Sequence, residues 1–280
     1  MWIDKPEPGS PKTTVYLYDL ATPKEQKIIT GTNIVDVKIS GDRLLWSEKR
    51  DGGVDIFLYN LGPNSILSQK PINPNGPVTS FDIDGNKIVW RDEQLNLYLL
   101  DISSDNNRPK LIASNVWGTP AISDKLIVWD QAPARTIYYL DLTTNNINQI
   151  DSSTKQSVRF DVSGTKIVWG RQVSSGTREI YFYDTQTGGP VVLITTIRNG
   201  IGPVISGDTI AWIVYRYQGS RDSVYDIYAY SIPTGIMKPI VTNDKVNKND
   251  LAIFDNRLVW SDARNRQFAQ FDIYSMKVPK

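Results

Sequence analysis

The side chains of this chain that could do chemistry are carboxylates, tyrosines, lysines and arginines, because it has no histidine and no cysteine. Histidine is the usual general base near neutral pH and the commonest metal ligand. A Ser-His-Asp triad and a histidine-ligated zinc site are excluded, as are disulfides, thiolate catalysis and thiolate metal sites. What remains is carboxylate chemistry, oxygen-ligated cations, and recognition by charged and aromatic groups. Paired carboxylates serve glycosidases, but nothing in the spacing picks out a pair. Asp82 with Asp84, or Asp51 with Asp55, offer oxygen ligands for Ca²⁺ without the spacing of an EF-hand. No catalytic residue, no metal ligand set and no cofactor is expected, with Ca²⁺ conceivable from the oxygen ligands.

The charges recur at fixed places. An acidic residue follows a tryptophan at Asp4, Glu48, Asp92, Asp130 and Asp262, and another acid stands further on at Asp55, Glu179, Asp226 and Asp272. Basic residues crowd the stretch between, and the longest such stretches carry Arg171 and Arg178, and Arg216 and Arg221. Long loops on a rigid scaffold commonly carry binding, so these four arginines are candidate partner-binding residues. The plainer reading is cross-strand ion pairing, each pair contributing a fraction of a kcal/mol. A second set, Asp36, Lys38, Asp82, Arg159, Asp161 and Asp250, lies at or near the starts of alternating segments. If those segments line a channel, the six charges converge on its mouth as a candidate ligand pocket, although such mouths are polar in any case.

The elements that must position these residues are strands of a repeat. Trp46, Trp90, Trp129, Trp169, Trp212 and Trp260 recur at intervals of about 39–48 residues, the length of a four-strand propeller blade. Each closes a run such as Asn86-Lys87-Ile88-Val89-Trp90 or Thr165-Lys166-Ile167-Val168-Trp169, and Trp2 looks like a seventh copy. Before each run comes an alternating segment, such as Thr79 to Asp84 or Val158 to Ser163, ending in a turn such as Ser40-Gly41-Asp42. Alternation is the strand signature, and Gly supplies the positive φ of the turn. An aromatic-rich third strand follows, as in Ile180 to Thr185, then a short fourth such as Val192 to Thr195. Rings at equivalent positions of every unit are expected to fill the space between blades rather than to form a stacking platform.

Units of the form G-[DN]-x-[IL]-V-W, then D-I-Y-x-Y-D-L, then K-x-I-T, resemble the TolB-type propeller repeat, in the version found in archaeal and bacterial cell-surface proteins. The resemblance spans nearly the whole chain. It implies an all-β propeller of four-stranded blades forming one domain over 1–280. Seven tryptophan strands and seven tyrosine strands, against six clear first and six fourth strands, favour seven blades over six. The N-terminal segment is expected to close the ring. Propeller lyases with similar repeats use histidine-bound metal, which this chain cannot supply.

Formal net charge is +1, from 31 basic and 30 acidic residues, which gives no overall basic footprint for nucleic acid. No stretch of about 18 apolar residues exists, so no membrane span is expected. Residues 1–20 lack a basic segment followed by an apolar one, so no signal peptide is expected there. The chain fits a mature form or an excised domain. These readings lead to a non-enzymatic scaffold that recognises a protein partner. The resemblance adds an extracytoplasmic or cell-surface setting. The alternatives are a carbohydrate- or metal-binding propeller acting at the channel mouth, and the regulatory propeller of a hydrolase whose catalytic domain lies elsewhere.

Overall fold

The computed structural model describes residues 1–4, 12–61, 71–73, 76–104, 108–151, 157–217, 223–244, 248–262 and 272–279. It is a β-propeller in which each sheet is an antiparallel meander. The chain divides into two compact units, Met1–Val116 and Trp117–Lys280.

Unit 1 holds three sheets. The first contains β1 (Trp2–Asp4), β2 (Lys12–Asp19) and β3 (Lys24–Thr32), and the second β4 (Ile34–Ser40), β5 (Arg43–Arg50) and β6 (Gly53–Asn60). The third contains β7 (Val78–Asp84), β8 (Lys87–Asp92), β9 (Leu97–Asp101) and β10 (Lys110–Ala113). Unit 2 holds four. They are β11 (Ala121–Ile122) to β14 (Asn146–Asp151) through β12 (Leu126–Gln131) and β13 (Thr136–Asp141); β15 (Ser157–Ser163) to β18 (Val192–Arg198) through β16 (Lys166–Ser174) and β17 (Thr177–Asp184); β19 (Gly200–Ser206) to β22 (Ile236–Asp244) through β20 (Thr209–Tyr217) and β21 (Ser223–Ser231); and β23 (Lys248–Phe254), β24 (Arg257–Asp262) and β25 (Asp272–Lys277).

Six of these sheets begin with an inner strand followed by the tryptophan strand, while the sheet of β1 to β3 has none before Trp2. The structure thus has six blades of the repeat pattern, and the expected seven are corrected to six. The N-terminal pair around Trp2 and Tyr16 is the surplus to those six. Nor is ring closure by the N-terminal segment shown, since among the described residues β1 pairs with β2 alone. The weak fourth strand near Ser65-Ile66-Leu67 lies outside the described residues.

The tryptophan strands are middle strands of their sheets and are largely buried, which is why they read as unbroken apolar runs. In β12 the residues Leu126 to Asp130 are all buried. Each ring lies directly opposite an aromatic residue of the third strand and stacks on it. The pairs are Trp46–Phe57, Trp90–Tyr98, Trp129–Tyr138, Trp169–Tyr181, Trp212–Tyr228 and Trp260–Tyr274, with centroids 5.3–6.2 Å apart. The core is correspondingly divided into layers between consecutive sheets. One layer joins Leu45 and Ile56 to Phe81, Ile83 and Trp90 in unit 1, and another joins Val128 and Ile137 to Phe160, Ile167 and Trp169 in unit 2.

In four of the sheets the serine of the inner turn ties the sheet to the next. Ser40 Oγ donates to Asp84 Oδ1 at 3.0 Å and accepts from the Gly85 N–H at 2.9 Å. In unit 2, Ser123 Oγ donates to the Gly164 carbonyl, the Gly207 N–H donates to Ser163 Oγ, and the Asp255 N–H donates to Ser206 Oγ, at 2.9–3.1 Å. In the last sheet Phe254 takes the serine's place and is 82% exposed. The turn itself needs positive φ at its first residue, met by Gly41, Gly85, Gly164 and Gly207, whereas Asp255 and Asn256 both adopt positive φ in the last sheet. These are the two tight hairpin solutions, with a single or a double left-handed residue.

Candidate functional site

Each meander has two ends. The inner turns and the turns into the fourth strand lie at one, the turn end. The starts of the inner strands and the hairpins between second and third strands lie at the other, the hairpin end. The charges singled out in the sequence gather mainly at the hairpin end, and a recurring bulge helps to place them. Register slips in the inner strand between Ile34 and Asp36, Val78 and Ser80, Ser157 and Arg159, Ile201 and Val204, and Asn249 and Ala252. Such bulges re-aim side chains near a strand end.

The six channel-mouth candidates are split by this geometry. Asp36, Lys38 and Asp82 belong to unit 1, and Arg159, Asp161 and Asp250 to unit 2. They also occupy different rungs. Asp36 and Arg159 stand just past the bulge, opposite Ser47 and Gly170, while Lys38, Asp82 and Asp161 stand two residues on, opposite Leu45, Val89 and Val168. Several are already engaged. The N–H of Val37 donates to Asp36 Oδ1, the N–H groups of Val162 and Ile205 donate to the two oxygens of Asp161, and Ser261 Oγ donates to Asp250 Oδ2. Of the possible Ca²⁺ ligands, Asp84 accepts from Ser40 and Asp55 accepts from Asn73 Nδ2. Among the described residues no group of three acidic side chains could hold a metal ion.

The loop candidates fare differently from one another. Arg171 is 7% exposed, ion-paired with Asp151, and stacked over the Tyr181 ring at 4.9 Å. The Tyr181 hydroxyl donates to Glu179 Oε2 at 2.5 Å. Burial raises the Tyr181 phenol above its ordinary pKa, and the bond to Glu179 and that carboxylate's charge add to the rise. Arg171 is therefore part of a packed network rather than a projecting contact. Arg178 is half-buried opposite Gln172 in the same hairpin. Arg216 lies on β20 opposite Val224, and Arg221 lies outside the described residues.

A residue that the repeat reading passed over stands out instead. Trp117 is the one tryptophan outside the repeat, and it is 52% exposed. Its N–H donates to the Asp130 carbonyl at 3.2 Å, and the next N–H, of Gly118, donates to Asp130 Oδ1 at 2.6 Å. Gly118 is required there, because a Cβ would come within 2.6 Å of Asp130 Oδ1 and 3.3 Å of the Phe160 ring. The Arg135 guanidinium lies 5.2 Å from the Trp117 ring centroid and 3.3 Å from Asp130 Oδ2. A buried carboxylate thus fixes both the loop and the arginine, and the arginine covers part of the indole. The signal available in the sequence was the break in spacing, twelve residues before Trp129.

The hairpin end of unit 2 presents guanidinium donors and an aromatic face, and several of its carboxylates are buried. Asp130, Asp226 and Asp262 are fully buried, and Asp262 pairs with the equally buried Lys248 at 3.4 Å. This suits recognition rather than proton transfer. At the turn end, a cleft of about 370 Å³ between β21, β22 and the last sheet is lined by Tyr230, Pro233, Ile236 and Asn256.

No family model and no curated protein matches the sequence. Solved structures do. The β-propeller domain of the trilobed protease from Pyrococcus furiosus, reported with an open velcro topology, aligns over 94% of this chain and 87% of its own, at 15% identity and a TM-score of 0.71. A TolB-like protein from Agrobacterium tumefaciens aligns over 98% and 100%, at 14% identity and 0.58. The acylaminoacyl peptidase of Pyrococcus horikoshii aligns over 89% of this chain but 46% of its own, at 13% identity and 0.61. At such identities the likeness establishes the fold, a TolB-like propeller.

Proposed function

We propose that the chain is a single propeller domain acting as a non-enzymatic scaffold. It recognises a protein partner through the hairpin end of unit 2, in an extracytoplasmic or cell-surface protein. The observation that carries this reading is Trp117. Six repeat tryptophans are stacked and buried, while this one is held half-exposed by a dedicated Arg135–Asp130 support. Binding hot spots are enriched in Trp and Arg in pre-ordered settings. Covering the open half of an indole removes roughly 100 Å² from water, which at about 25 cal/mol per Å² contributes about 2.5 kcal/mol.

The likeness to propeller domains of TolB and a trilobed protease is compatible with a binding role, and among the described residues no helix is long and apolar enough to cross a membrane. A second reading, the regulatory propeller of a hydrolase, draws on the peptidase of which the aligned region is 46%. The test is affinity capture with the wild-type chain and with Trp117→Ala, each checked for an unchanged melting temperature. The scaffold reading expects a protein captured by the wild type and lost from the variant. Equal capture by both would move the site elsewhere.

A further inference from the structure

We infer that the partner segment bound at this end is acidic, an inference that rests on the protein-scaffold reading and names the partner's chemistry. The argument is one of donors and acceptors. In the two sheets spanning β11 to β18 the hairpin-end carboxylates are occupied internally. Asp130 accepts from Gly118 and pairs with Arg135, Asp151 pairs with Arg171, Asp161 accepts two backbone N–H groups, and Glu179 accepts from Tyr181. Arg159 and Arg178, both half-buried, form no ion pair among the described residues, and Asp161, two residues along the strand from Arg159, is taken up by backbone N–H groups. Arginine offers five donors and no acceptor. This end is therefore a surface of donors beside an open indole.

Trp117 and Arg159 are linked through Phe160. Gly118, next to Trp117, abuts the Phe160 ring, and Arg159 precedes Phe160 and packs on Gly202 of the following sheet. Arg178 lies further along the hairpin of the same sheet as Arg159. A ligand that complements such a surface supplies acceptors and one apolar group. A run of Glu and Asp around a single hydrophobic residue does so, since guanidinium–carboxylate pairs are strong and directional and opposite potentials steer encounter. A neutral sugar polymer fits less well, because its hydroxyls accept from guanidinium without the charge that makes guanidinium–carboxylate pairs strong.

The experiment is fluorescence anisotropy of the full chain with a fluorescein-labelled ten-residue peptide of Glu and Asp around one central Leu. A Lys-for-acid version and polygalacturonate serve as comparators. Saturable binding of the acidic peptide is expected, with no binding of the basic one. Trp117→Ala, and separately Arg159→Ala/Arg178→Ala, should each weaken it by about tenfold or more, as for hot-spot truncation. If the double variant melts early, Arg178→Glu alone serves. No saturable binding, binding indifferent to these variants, or binding of polygalacturonate in place of the peptide would each overturn the inference. Capture of a cellular protein that depends on Trp117 but is not displaced by the acidic peptide would leave the scaffold reading standing and remove the acidic one.

Discussion

Replacing Trp169 by alanine asks whether the repeated rings are core or recognition surface. Trp169 is fully buried among Phe160, Val162, Ile167 and Val128, and its ring stacks on Tyr181 at 5.6 Å and 16°. A buried tryptophan removes roughly 200 Å² from water, about 5 kcal/mol at about 25 cal/mol per Å². Partial collapse of the site recovers some of that, and truncations of this kind cost about 3–5 kcal/mol. The same substitution at the half-exposed Trp117 should cost about 1 kcal/mol or less. Urea unfolding followed by far-ultraviolet circular dichroism compares the two directly. A loss of under about 1 kcal/mol at Trp169, or equal losses at both positions, would refute the division of the tryptophans into packing and presentation.

Further substitutions probe the supports. Asp262→Ala should destabilise by about 3–5 kcal/mol by taking the paired carboxylate from the buried Lys248, while Lys248→Met with Asp262→Leu should cost much less; thermal unfolding of both separates the cases. Ser163→Ala should cost about 0.5–1.5 kcal/mol and accelerate amide exchange at Gly207, whose N–H it receives. Asp141 accepts from the N–H groups of Thr144 and Thr143, Thr144 first, and these hold its pKa below the ordinary 3.8. Its contribution is therefore present above the unfolded value and lost as pH falls through the lower folded value; Asp141→Asn should flatten that part of the acid limb of a melting-temperature profile. Gly118→Ala should push into Asp130 and Phe160, releasing Trp117 and shifting its fluorescence to the red.

Much of the fold was legible because a blade is a short unit whose middle strand is buried on both faces. Its apolar run, its tryptophan and its Gly turn all mark the same place, as at Asp84-Gly85-Asn86 before Trp90. The blade number was not, because counting tryptophans credits Trp2 with a blade whose inner strand never appears. Charge placement was only half legible. The spacing identified Arg171 and Asp161 as charges at strand ends, but could not say that Arg171 folds onto Tyr181 and Asp151, or that Asp161 accepts the N–H of Ile205 forty-four residues on. Those contacts join residues distant in sequence, through packing between blades and a bulge that alternation does not encode. Trp117 was overlooked for the opposite reason: a search for regularity passes over the residue that breaks it.

The most direct test of the central claim is photo-crosslinking in cells, with p-benzoylphenylalanine placed at Trp117 and, as a control, at the exposed Ile236 of the turn end. The account predicts a covalent adduct with a distinct protein from position 117 and none from 236. Adducts from 236 alone would place recognition at the opposite end and contradict it.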